Sequence, residues 1–206
     1  MFKRNPVFLL ALLLVTGTAL AEEDVGIGPW RLGMTKEQVV AFAEVGPYKD
    51  VGDTVETEGA MFAGRKAAAT FTFGDAALRA IEVRTYEGKD WRKAQEAALA
   101  VFDHFATAFG GANVKDISDK IDRKELESTL ERTLGTAEEI SKRYARPGSG
   151  VTIAFDMVPL RQPAESRLHC KWVYVGKSDT YFVYIYQDRR GAPSRDAEDN
   201  ILIEKL

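Results

Sequence analysis

The feature that most limits how this chain can fold is the alternation in its last third. Val151, Ile153, Phe155 and Met157 take turns with Thr152, Ala154 and Asp156, and two aromatic stretches follow, Leu168 to Val175 and Thr180 to Gln187. A period of two marks strands with one face toward a core. Pro159 closes the first of them, and Gly176-Lys177-Ser178-Asp179 is the expected turn between the other two. Upstream, Lys66 to Phe73 and Leu78 to Tyr86 alternate in the same way around a turn at Gly74-Asp75-Ala76-Ala77. Tight turns join antiparallel neighbours, so these segments predict an antiparallel sheet.

The intervening segments change to a helical period. Thr35 and Gln38 form a capping box, and Met34 is placed to staple to Val39, so a helix is expected from here to about Val45, where Gly46-Pro47 stops it. Asp90 caps a second helix whose apolar stripe is Trp91, Ala94, Ala98, Val101, Phe102, Phe105 and Phe109, with Gly110-Gly111 at its end. His104 falls far from that stripe and is expected to be solvated and non-catalytic. Residues 113–146 are more open. Asp122/Glu125 and Thr136/Glu139 offer two capping boxes, so Gly135 either separates two helices or sits inside one, and Arg146-Pro147-Gly148 ends the segment either way. Residues between the first helix and Lys66 read as a polar connector. The tail from Arg189 is polar, and Ile201-Leu202-Ile203 could add an edge strand or dock. Helix, hairpin, helices and three strands in that order indicate an α+β fold with helices packed on one face of the sheet.

The N-terminus carries an address. Lys3 and Arg4 precede the apolar run Val7 to Val15, and Ala19-Leu20-Ala21 supplies small residues for a signal peptidase. Nine apolar residues are too few for the roughly 18–20 that span a bilayer. Residues 1–21 are therefore expected to be a cleaved signal peptide and 22–206 a single α+β domain in the periplasm or outside the cell. No cysteine lies at the cut, so neither a lipid anchor nor a membrane span is expected.

Removing 21 of the 206 residues leaves 185, enough to bury on the order of 70% of the unfolded chain's surface without disulfide staples. The single cysteine, Cys170, has no intramolecular partner; it alternates with Leu168 and Trp172 and is expected to be buried and inert. Losing Lys3 and Arg4 takes the formal net charge from −3 to −5, which argues against nucleic acid as a partner. One thiol and two histidines cannot build a structural zinc cluster. Asp50, Asp53, Glu56 and Glu58 match no calcium-ligand loop, and Gly26, Gly28 and Gly33 lack the strand and spacing of a phosphate cradle. No catalytic residue, metal or cofactor is assigned.

The candidate partner surface is the aromatic strand pair, with Lys171, Trp172, Tyr174, Tyr181, Phe182, Tyr184 and Tyr186. Both alternation faces carry large side chains, whereas a one-sided sheet needs only one apolar face. Register decides which residues share the second face. If Val175 pairs with Thr180, Lys171 and Val173 lie beside Phe182 and Tyr184; if Gly176 does, Trp172 and Tyr174 take their place.

The segment Gly33-Met34-Thr35-Lys36-Glu37-Gln38-Val39, with Gly46-Pro47 after it, resembles the helix start of small exported α+β proteins. These include the small lipoprotein of the outer-membrane β-barrel assembly machinery and the β-lactamase-inhibitory proteins. The resemblance implies a protein-binding module with helices on an antiparallel sheet. It does not extend to membrane anchoring, because this chain lacks the acylated cysteine. The expected function is thus an exported, non-enzymatic module that holds another envelope protein. The alternatives are a binder of small molecules or cell-wall fragments and, third, an enzyme whose site converges on carboxylates or His169.

Overall fold

The computed structural model describes residues 27–115, 117–144 and 151–189. The leader and its cleavage site, the stop at residues 146–148 and the segment 201–203 lie outside the described residues. The element order is α1 (Lys36–Val40), β1 (Tyr48–Val51), β2 (Thr54–Phe62), β3 (Arg65–Gly74), β4 (Ala77–Gly88), α2 (Trp91–Phe109), β5 (Ala112–Val114), β6 (Ser118–Ile121), α3 (Arg123–Tyr144), β7 (Thr152–Pro159), β8 (Ser166–Val175) and β9 (Thr180–Arg189). The described strands form one sheet in the order β1-β2-β3-β4-β9-β8-β7-β5-β6, antiparallel at every pairing. With its helices this is an α+β fold. Two meanders, β1 to β4 and β7 to β9, meet where β4 pairs with β9.

Local chemistry accounts for the helix starts. At α1 the Thr35 hydroxyl accepts from the Gln38 amide at 3.4 Å, and the Gln38 side chain accepts from the Thr35 amide at 2.8 Å. Thr35→Ala removes half of this box. It is expected to lower the unfolding free energy by about 1 kcal/mol, readable as a shifted urea midpoint at unchanged slope. The helix is shorter than its pattern suggested. It stops at Val40, and Ala43–Val45 forms a separate 3-10 turn. Val39, Phe42 and Val45 all reach the core at intervals of three, which a 3-10 repeat matches better than an α-helical one.

In α2 the Asp90 carboxylate accepts from the Arg92 amide at 3.0 Å, and Gly110 closes the helix at φ +77, a conformation that favours glycine. The predicted stripe is the buried face, from Ala94 to Phe109. α3 is one continuous helix. Asp122 Oδ1 accepts from the Glu125 amide at 2.8 Å, whereas Thr136 lies mid-helix and turns its hydroxyl back to the Arg132 carbonyl. Gly135 sits inside α3 opposite the Trp91 indole. The strands β5 and β6 that precede α3 had no clear sequence signal, being three and four residues long.

The connector is not a loop. Residues 48–62 form β1 and β2, with Val55, Thr57, Ala60 and Phe62 buried along β2. Glu56 and Glu58 occupy its other face, so the charges that suggested a solvated linker belong to a half-buried strand. α2 lies against β4, β5, β7, β8 and β9, and α3 packs on α2. One core of buried side chains joins Val39 of α1, Phe105 of α2 and Leu130 of α3 to Phe71, Ile81, Trp172 and Ile185 of the sheet. Trp30 enters it from the N-terminal segment, 4.6 Å from the Phe71 ring. That segment is tied to β9 by the Ile27 amide, which donates to the buried Gln187 side chain at 3.1 Å.

Candidate functional site

The β8–β9 register sorts the predicted aromatic residues. Val175 pairs with Thr180, Trp172 with Val183, Lys171 with Tyr184 and Tyr174 with Tyr181. This is the first of the two registers that the alternation allows. Trp172, Tyr174 and Tyr181 point into the main core and are 1–3% exposed. Trp172 stacks on Phe155 of β7 at 5.7 Å. The Tyr174 hydroxyl donates to Asp179 at 3.1 Å, and the Tyr181 hydroxyl donates to the Leu134 carbonyl of α3 at the same distance. Burial, above all, pushes both phenols up to about 12. Cys170 shares this face; burial raises its thiol far out of the reactive range.

Lys171, Phe182, Tyr184 and Tyr186 occupy the opposite face. Phe182 and Tyr184 stack with ring centroids 5.6 Å apart and planes within 10°, Tyr186 follows at 5.8 Å, and the His169 ring lies 5.1 Å from Tyr186. Phe182 and Tyr184 thus stand face to face, whereas Tyr186 is tilted by 37° to Tyr184. Val173, Val175 and Phe182 form a small apolar cluster separate from the main core, with Tyr184 packed on it.

Pairing extends this face into polar rows. One runs Glu56, Thr70, Glu82, Tyr186, His169 across β2, β3, β4, β9 and β8. The next runs Ala68, Arg84, Tyr184, Lys171, Asp156 across β3, β4, β9, β8 and β7. The small side chains of Ala68 and Thr70, between longer neighbours on β2 and β4, leave a depression of about 160 Å³ walled by Glu56, Glu58, Glu82 and Arg84. Arg84 bridges Glu58 at 3.5 Å and Glu87 at 2.8 Å. A further pair, Arg167 and Asp188, lies two residues beyond His169 and Tyr186 and is joined by two bonds of 3.2 and 2.7 Å.

His169 approaches Asp156 across β7 and β8 at 3.8 Å, beyond hydrogen-bond range, and Asp156 Oδ1 is buried without a described partner. Neither residue lines the depression. Among the described residues no three His, Cys, Asp or Glu side chains group as metal ligands, and no helix is long and apolar enough to cross a membrane. Sequence reasoning missed the contribution of β2 and β4 to this face. The run Thr54-Val55-Glu56-Thr57 alternates and is rich in β-branched residues, which was the available signal. Comparison of the chain with protein-family models, curated proteins and solved structures gave no match.

Proposed function

We propose that this chain is an exported, non-enzymatic binding module whose helices share one face of the sheet and whose other face holds another protein of the cell envelope. The observation that carries the reading is the Phe182-Tyr184-Tyr186 ladder, flanked by Lys171 and His169 on a face that the main core does not use. Tyrosines of this kind supply rigid contact area with a polar tip, a combination suited to protein interfaces. The rings of Phe182 and Tyr184 are stacked on one another, which disfavours the stacking that a sugar or flat small ligand would need there. The leader of residues 1–21 and the resemblance of Gly33–Val39 to exported binding modules support the same reading.

Charge defines the partner further. Glu56, Glu58, Glu82 and Glu87 surround Arg84 on the β2–β4 half of this face, with Lys66 exposed further along β3. A partner presenting lysines or arginines is steered there, and its association slows as salt rises. A photo-crosslinking side chain introduced at Tyr184 is expected to capture a partner in intact envelopes, while the same group at the exposed Glu131 of α3 captures none. Capture from position 131 alone, or from neither, would overturn the proposal.

A further inference from the structure

His104 is not the solvated residue that its helical position suggested. Its ring centroid lies 4.8 Å from that of Phe62, at 67°, and 6.3 and 6.2 Å from Phe105 and Phe109 on its own helix. Phe62 is the last residue of β2, and the two-residue turn Ala63-Gly64 at φ +47 and +74 leads directly into β3. The imidazole therefore sits where the tip of the β2–β3 hairpin meets α2.

We propose that the His104–Phe62 contact is an acid-sensitive latch that holds this hairpin tip on α2 and loosens when the imidazole takes up a proton. An imidazolium needs water, and the Phe62, Phe105 and Phe109 rings cover part of the half-buried imidazole. Charged side chains described on the packed elements are already engaged. Arg65 of β3 faces Glu96 of α2 at 3.8 Å, Asp103 of α2 bonds Arg123 of α3 at 3.0 Å, and Arg161 donates to the Phe109 carbonyl at 3.3 Å. None supplies His104 with a counter-ion. The Arg65–Glu96 pair also ties the tip to α2, but its side chains are 40% and 63% exposed, and pairs of that kind contribute little. Phe62, by contrast, is 6% exposed and part of the main core.

The direction of the pH effect follows from desolvation, which lowers the His104 pKa from its ordinary 6.5. Between the latched value and 6.5 the released tip binds more protons than the latched one. Latching is complete above 6.5 and weakens as pH falls through that window. It rests on different residues from the partner-binding face, so either idea can fail alone.

Hydrogen exchange at the amides of residues 61–66, corrected for intrinsic rates and compared at about pH 7.5 and about pH 5, tests it on the full chain. The unmodified protein is expected to lose tip protection severalfold at the lower pH. His104→Phe keeps the apolar contact and abolishes that response; His104→Gln protects less at both values and is likewise insensitive. His169→Gln, which changes the only other histidine, leaves the response intact. An undiminished response in His104→Phe, or none in the unmodified protein, would refute the latch.

Discussion

Trp172→Ala is expected to lower the unfolding free energy by about 3–5 kcal/mol, the range for truncating a large buried aromatic. The side chain is 1% exposed, stacks on Phe155 and lies in the core that joins the sheet to α2 and α3. Removing it leaves a cavity that strands on both sides, already fixed by their ladders, cannot close. Trp172→Phe keeps a ring for the stack and deletes an indole N–H that is buried without a described partner, so it costs less. Urea unfolding monitored by circular dichroism measures both. A loss of roughly 0.5 kcal/mol or less in the alanine variant, the size typical of surface positions, would mean that Trp172 lies on the outer face after all.

The second large effect is expected at a glycine in β2. Thr57 donates its hydroxyl to the Val45 carbonyl at 2.5 Å, the Gly59 amide donates to the same hydroxyl at 3.0 Å, and a bulge separates Thr57 from Ala60. The chain after the 3-10 turn is thereby pressed onto β2. A methyl group at Gly59 would stand 2.5 Å from the Val45 carbonyl oxygen and 2.6 Å from that of Gly46. Both are backbone atoms, so relief requires moving a segment rather than a side chain. Gly59→Ala should destabilise by about 1–3 kcal/mol or more. The same substitution at Gly135 should do the opposite. There a methyl meets only the Trp91 ring at 3.6 Å, an ordinary contact, and alanine is favoured over glycine in a helix by roughly 1 kcal/mol. Equal urea midpoints for the two variants would contradict the geometry at Gly59.

The readable parts of the fold were those whose signal is local. The capping box at Thr35, the Asp90 start of α2 with its stripe, and the β3–β4 hairpin each lie within a single element and its turn, where spacing and cap chemistry suffice. β1 and β2 were hidden because their outer positions carry Asp50, Glu56 and Glu58, charges that read as a solvated linker although they stand on the outer face of paired strands. His104 was misplaced for a related reason. A helical wheel ranks positions by their distance from the apolar stripe, but Phe62 arrives from an unrecognised strand and covers a flank the wheel assigns to water.

The aromatic strands show where local information ends. Alternation alone placed large side chains on both faces and restricted pairing to two registers, which differ by one residue and exchange the faces. Pairing of Val175 with Thr180 sends Trp172, Tyr174 and Tyr181 inward and leaves Lys171, Phe182, Tyr184 and Tyr186 on the other side.

What the sequence determined by itself is the α+β class, the antiparallel sense of the sheet and the start of each long helix, because these depend on period, turn length and capping within a few residues. The tertiary structure alone decided the strand order, the joining of the two meanders at β4 and β9, and the assembly of Glu56, Glu82, Tyr186 and His169 into one row. Those depend on contacts between residues up to about a hundred positions apart, and a side chain's burial is set by whichever segment arrives to cover it.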